Sequence, residues 1–244
     1  MDVEAEHAAL IAQLTAAGRP YRNPQAENDS YTGSRRPFFN VSVPERRRMA
    51  RAWLAAHRGA SDGEVLALAG RLFTGESHEE RTLGALVLGY SARARRAATI
   101  DMVDAWLGEL TGWAEVDSFC ASVFTAEDLL GDWPAWRDLI RRLAGDANIN
   151  KRRAALVLLV APTRTSDDPR FGDLGFEIVE RLKGERDILI TKAVSWLLRS
   201  MAGRRGAEVA AYVEANRASL PAIAVRETRT KLATGTKSGR SKKA

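Results

Sequence analysis

The chain has 244 residues, of which 45% are hydrophobic and 28% are charged, so it can bury a sizeable apolar core and is expected to be globular. Its 37 Lys and Arg residues exceed its 31 Asp and Glu residues, and the formal charge of +6 favours a polyanionic partner. The single cysteine excludes an intramolecular disulfide framework and a cysteine-rich zinc site. The three scattered histidines lack the spacing of metal ligands, so we expect neither a metal nor a cofactor.

The hydropathy pattern argues against a membrane protein. No apolar run approaches the length of a membrane span, and the N-terminal MDVEAEHAAL is acidic where a signal peptide has a basic start and an apolar core. We therefore expect a cytoplasmic protein in a reducing compartment, without a membrane partner.

Helical periodicity runs through nearly the whole chain. Apolar residues recur at helix spacing, and no segment has the alternating pattern with Asn-Gly turns that is typical of a sheet. Residues that commonly begin helices precede these runs. They are Pro44, Ser61, Ser77 with Glu80 in a capping box, Thr99, Asp132 with Pro134, and Ser219 with Pro221. The pattern predicts an all-α protein of roughly a dozen short helices, either a globular bundle or a solenoid of stacked helix pairs with degenerate repeats.

Two stretches depart from this pattern. Residues 18–43 are rich in Gly, Pro, Asn and Ser and include Tyr31, Arg35 and Arg36, which predicts a long surface connection with about one helical turn. Residues 233–244 are small, polar and basic, which predicts a disordered tail. That tail is either simply solvated or a tether that adds nonspecific DNA affinity.

The stretch TGWAEVDSFCASVF places Trp113 and Asp117 four residues apart, on one face of a predicted helix. The apolar seam of the same segment consists of Val116, Phe119, Cys120 and Val123. Read alone, the segment allows two interpretations. The tryptophan is a core residue beside a solvated aspartate, or the pair forms part of a site.

A second polar cluster, Lys151, Arg152 and Arg153, occupies the first turns of the helix predicted over NINKRRAALVLLVAP. Cations at a helix start oppose the macrodipole, which favours carboxylates there. The cluster either serves an anion that also accepts the helix N–H groups, or it is a chance run on an exposed turn.

A third cluster, Lys192, Trp196 and Arg199, follows at spacings of four and three residues in DILITKAVSWLLRSM. These side chains form one stripe of a helix. The stripe is either a packed tryptophan with extended cationic neighbours or a binding face.

Taken together, the blocks SYTG, VPERRR, W-x-x-x-D, RRAALVLL and KAVSWLLR resemble the AlkD-like family of DNA alkylation repair enzymes, in their order and approximate spacing. The resemblance covers roughly Tyr31 to Lys231. It implies an α-solenoid of HEAT-like repeats, curved into a C shape with a basic concave groove for duplex DNA. We therefore expect one domain over residues 1–232, followed by the tail at 233–244.

The resemblance also implies roles for single residues. The family's catalytic aspartate matches Asp117, its two cleft tryptophans match Trp113 and Trp196, and its cleft arginine matches Arg153. The implied DNA-binding residues are Tyr31, Arg47, Lys192, Arg199 and Arg226. The sequence departs from the family pattern at Ser42, where some members have a larger polar residue, and at SRRPFFN, which is more basic than the usual glycine-containing loop.

The activity that the resemblance implies agrees with the residue types. An N3- or N7-alkylated purine is a cation that leaves as a neutral base, so a carboxylate and aromatic walls beside the developing sugar cation aid its release. We expect a monomeric, monofunctional DNA glycosylase of base excision repair that releases 3-methyladenine and 7-methylguanine without base flipping. Asp117 would stabilise the oxocarbenium ion and position water. The alternatives are a catalytically silent relative that binds distorted or branched DNA, and a HEAT-type scaffold that binds proteins.

Overall fold

The computed structural model describes residues 1–20 and 32–239. Within these two ranges the regular secondary structure is helical, and no strand occurs. The prediction of an all-α protein is confirmed. The chain divides into two compact units, Met1–Phe124 and Thr125–Ala244.

The first unit is built from short helices. They are α1 Val3–Ala17, α2 Val43–Ala56, α3 Asp62–Phe73, α4 His78–Tyr90, α5 Ala92–Ala97, α6 Ile100–Glu109 and α7 Gly112–Cys120. Four of the predicted helix starts are correct here. Pro44 lies in the first turn of α2, Ser77 forms a capping box with Glu80, and the Ser61 and Thr99 hydroxyls accept hydrogen bonds from backbone N–H groups of α3 and α6.

Two helices organise the core of the first unit. Helix α3 packs against α1, α4 and α5, while α4 also packs against α2 and α7. Their facing side chains are excluded from solvent, and the rings of Phe73 and of Phe119 from α7 pack in a T-shaped arrangement with 5.2 Å between centroids. Helix α7 is therefore anchored to the core through its apolar side.

The second unit continues the same pattern. Its helices are α8 Ala126–Gly131, α9 Trp133–Leu143, α10 Ile149–Val157, α11 Val160–Thr165, α12 Pro169–Leu182, α13 Ile188–Met201, α14 Gly206–Ala215 and α15 Ala222–Thr234. Helix α13 is central, because it packs against α10, α11, α12, α14 and α15. Its inward residues, Val194, Leu197 and Leu198, have no exposed surface.

Two predicted details of the second unit need revision. Asp132 caps α9 as expected, but Ser219 does not cap α15: its hydroxyl donates to the Asn216 carbonyl at 3.1 Å, and α15 begins after Pro221 without a side-chain cap. Helix α15 also continues to Thr234, inside the segment that we predicted as a tail, and ends at Gly235 with φ +72°. No helix in the described part of the chain is long and apolar enough to cross a membrane.

Candidate active site

Helix α7 carries Trp113 and Asp117 one turn apart, and both side chains are half-buried. The adjoining side of the helix is fully packed, since Val116 and Phe119 have no exposed surface and Cys120 has 1%. The predicted apolar seam is therefore correct, although its fourth member, Val123, lies beyond the end of the helix. The packed seam leaves the tryptophan and the carboxylate on a less buried face.

The start of α7 lies directly under a loop. Gly112 has φ +73°, and a Cβ atom placed on it would lie 2.4 Å from the Thr32 carbonyl oxygen and 2.5 Å from the Gly33 carbonyl carbon. Glycine is required here for two reasons, because L side chains disfavour this backbone conformation and because no space remains for one. The residue before Trp113 is thus in close contact with the start of the described segment 32–42, which runs as a loop from residue 33 to α2.

A buried carboxylate joins that loop to α7. Glu115 is 1% exposed; its Oε1 accepts a hydrogen bond from the Ser34 hydroxyl at 3.0 Å, and its Oε2 accepts one from the Thr111 backbone N–H at 2.9 Å. Arg36 Nε lies 3.5 Å from Oε2 and His78 Nδ1 lies 3.5 Å from Oε1. The basic SRRPFFN segment, a departure from the family pattern, therefore places its Arg36 beside the buried Glu115 carboxylate.

The first turn of α4 holds the next part of the same loop. The Glu79 carboxylate accepts hydrogen bonds from the backbone N–H groups of Phe39 at 3.0 Å and Val41 at 3.2 Å. The His78 backbone N–H donates to the Pro37 carbonyl at 3.0 Å. These bonds satisfy backbone groups that an irregular, partly buried loop would otherwise leave unpaired. Ser42, the second departure from the family pattern, accepts a hydrogen bond from the Glu45 N–H as the cap of α2.

In the second unit, Arg153 and Trp196 lie on helices that pack together. Arg153 is 4% exposed on α10, and its guanidinium donates to the carbonyl of Leu189 in the first turn of α13. Trp196, farther along α13, is half-buried. The bond to Leu189 fixes the Arg153 side chain on α13.

The basic cluster at the start of α10 is divided among different partners. Arg152 Nε donates to Glu185 at 2.7 Å, and its Nη1 donates to the carbonyls of Asp146 and Ala147 at 2.9 Å. Lys151 Nζ lies 3.9 Å from Asp146. Arg152 is therefore paired within the second unit, and the interpretation of the cluster as an anion site stays a prediction.

The predicted DNA-binding residues fall into two groups. Arg47, Lys192 and Arg226 are exposed, and their side chains form no hydrogen bond or ion pair with other residues in the two described ranges. Arg199 is half-buried, and its Nε lies 3.3 Å from the Ser195 hydroxyl and 3.4 Å from Glu227. Burial lowers the pKa of the Arg199 guanidinium, and the nearby Glu227 carboxylate opposes that shift.

The proposed site residues are distributed over both units. Trp113 and Asp117 belong to the first unit and Arg153 and Trp196 to the second, while Tyr31 lies outside the described residues. The grouping of these residues in one cleft stays a prediction. Within the described residues, no group of three or more His, Cys, Asp or Glu side chains could hold a metal ion.

Sequence reasoning missed the residues that hold the loop on α7, above all Glu115 and Gly112. A usable signal existed for Glu115. It stands four residues before Phe119 and next to Val116, so it lies on the apolar side of the helix, where a carboxylate needs a buried partner. No local signal identified Ser34 as that partner.

Comparisons with known proteins agree with this architecture. The family model for the DNA alkylation repair enzyme matches residues 10–232. The structure is similar to a solved structure described as a predicted DNA alkylation repair enzyme from Enterococcus faecalis, with a TM-score of 0.68 and 18% sequence identity, over 88% of this chain and 98% of that one. No curated protein matches the sequence. At 18% identity, the solved structure shows the fold alone. The family model covers most of the chain, and the chain therefore belongs to the DNA alkylation repair enzyme family, with an AlkD-like fold.

Proposed function

We propose that this protein is a DNA glycosylase that hydrolyses the N-glycosidic bond of cationic N3- and N7-alkylated purines, including 3-methyladenine and 7-methylguanine, in duplex DNA. The observation that carries the proposal is the paired Trp113 and Asp117 on α7, half-buried above a packed seam, in a member of a DNA alkylation repair family. A carboxylate beside an aromatic ring suits a reaction whose transition state has a positive charge on the sugar.

The reaction needs little acid catalysis. The bond between the anomeric carbon and the purine nitrogen breaks, its electron pair cancels the positive charge of the base, and the sugar becomes an oxocarbenium ion. Asp117 stabilises that cation and orients water, whose oxygen bonds to the anomeric carbon while a proton is released. Because these interactions strengthen as the cation forms, they lower the barrier more than they tighten ground-state binding.

DNA binding in this proposal depends on the backbone and not on base sequence. Exposed Arg47, Lys192 and Arg226 would contact phosphates, with Tyr31 and Arg199 as further contacts. A C-shaped solenoid with a basic concave groove would let the protein grip the sugar-phosphate backbone while the lesion stays stacked. The cost of base flipping, a few kcal/mol, would then be avoided.

Base release from an N7-methylguanine duplex, measured in single turnover without heating, tests the proposal. We expect Asp117→Asn to lower the rate by about a hundredfold or more, as for the loss of one electrostatic transition-state contact, with duplex affinity changed by less than about twofold. Asp101→Asn is the matched control, because Asp101 is an exposed carboxylate on α6 of the same unit. Equal rates for wild type and Asp117→Asn would refute the proposal.

The same experiment separates the two alternatives. Tight, salt-sensitive duplex binding without release from any alkylated substrate would indicate a silent relative that binds distorted or branched DNA. The absence of DNA affinity, or an affinity without steep salt dependence, would indicate a protein-binding scaffold.

A further inference from the structure

A buried carboxylate, Glu115, lies between Trp113 and Asp117 in the sequence of α7. Glu115 is two positions after Trp113 and two before Asp117, so at about 100° per residue it projects from the other side of the helix. The contacts of Glu115 therefore hold α7 from the side opposite Trp113 and Asp117.

Glu115 is held from two directions. On the helix side it accepts a hydrogen bond from the Thr111 backbone N–H, in the residue just before α7. On the loop side it accepts one from the Ser34 hydroxyl, and Arg36 Nε lies 3.5 Å away. Ser34 has no exposed surface, so water does not compete for this contact.

The loop contact is reinforced by backbone packing at Gly112. The carbonyl groups of Thr32 and Gly33 occupy the space where any other residue would place its Cβ atom. The carboxylate and the glycine thus hold the same two segments together, residues 32–42 and the first turn of α7. Burial of a carboxylate is costly without partners, which is why such a contact selects one arrangement of loop and helix.

We propose that Glu115 is a positioning residue, whose bonds to Ser34 and Thr111 fix the orientation of the Trp113–Asp117 face relative to the segment 32–42. The catalytic consequence of this role rests on the proposed glycosylase function. Glu115 acts through α7 and does not itself contact the substrate.

Two variants probe the proposal from opposite sides. Glu115→Gln keeps the size of the side chain but replaces one accepting oxygen by an amide NH2 group and removes the charge beside Arg36. Ser34→Ala removes the loop hydroxyl and leaves α7 unchanged in sequence. Glu109→Gln is the matched control, because the Glu109 side chain is half-exposed and lies 3.7 Å from Arg81, while its backbone carbonyl, which the substitution keeps, accepts from Arg36.

The first readout is independent of activity. In protein labelled with fluorotryptophan, the fluorine NMR signal of Trp113 is assigned by its loss in Trp113→Phe. We expect that signal to shift or broaden in Glu115→Gln and in Ser34→Ala and to stay unchanged in Glu109→Gln. An unchanged Trp113 signal in both test variants would overturn the proposal, whatever happens to their thermal stability.

The second readout separates rate from affinity. We expect each test variant to lower the single-turnover release rate by about tenfold, below the roughly hundredfold loss that a misplacement of 1 Å can cause, with duplex Kd within about twofold of wild type. The double variant should lose no more than Glu115→Gln alone, because the two residues form one contact. A contact that only stabilises the fold would lower Tm and leave the rate of the folded protein unchanged, and that result overturns the proposal.

The two proposals fail in distinguishable ways. If wild type releases no alkylated base, the glycosylase proposal fails, and the fluorine spectra still decide whether Glu115 positions Trp113. If Glu115→Gln does not fold, Ser34→Ala provides the same comparison through a smaller change.

Discussion

Replacement of Gly112 by alanine tests whether the segment 32–42 packs on α7 as the structure shows. The added methyl group would lie 2.4 Å from the Thr32 carbonyl oxygen and 2.6 Å from that of Gly33. These atoms belong to the backbone and cannot rotate aside as a flexible side chain would. The loop is also held in place by the Ser34–Glu115 hydrogen bond.

Two contributions set the size of the effect. Alanine in the left-handed conformation of Gly112, at φ +73°, costs about 1–2 kcal/mol. Insertion of a methyl group into a closely packed contact adds roughly 1–3 kcal/mol. We therefore expect Gly112→Ala to lower the free energy of unfolding by about 2–5 kcal/mol.

Gly235 is a matched control, since it has nearly the same φ, +72°, but apart from its chain neighbours no described residue has an atom within 4 Å of the position of an added Cβ. Gly235→Ala should lower the free energy of unfolding only by the cost of alanine in the left-handed conformation, about 1–2 kcal/mol. The assay is urea unfolding followed by tryptophan fluorescence and far-UV circular dichroism. If Gly112→Ala costs no more than Gly235→Ala, the proposed seating of the loop on α7 is refuted.

Two further predictions concern charge. Alanine at Lys192 or at Arg226 should each reduce the slope of log K against log salt for duplex binding by about one, whereas Arg170→Ala, at an arginine paired with Asp168, should leave it unchanged. Burial and a 2.8 Å hydrogen bond to Glu180 raise the pKa of Tyr212. Because the folded state holds that proton more tightly, the stabilisation is complete below the ordinary tyrosine pKa of about 10 and is lost as pH rises through the folded value. Tyrosinate absorbance should contain a late-ionising component, and Tyr212→Phe should remove it.

Much of the fold could be predicted because the information is local. Helix periodicity and capping residues depend on neighbours within about one turn, so the capping box at Ser77 and the seam through Val116 and Phe119 were correctly predicted from sequence. The prediction that Ser219 caps a helix was wrong because the local signal is ambiguous. A serine near a proline is a helix-start signal only if its hydroxyl faces the helix, and here it donates to the preceding turn.

The sequence by itself determined the helical class, the family resemblance and the placement of Trp113 and Asp117 on one helical face. Only the tertiary structure decided how the polar side chains are used, because their partners are distant along the chain. Arg152 forms an ion pair with Glu185, and Arg199 lies beside Glu227. Glu115 accepts a hydrogen bond from Ser34, 81 residues away. A charged residue has the same local signature whether it faces solvent, braces a turn or orients a site, and the difference arises only when folding brings its partner within hydrogen-bonding distance.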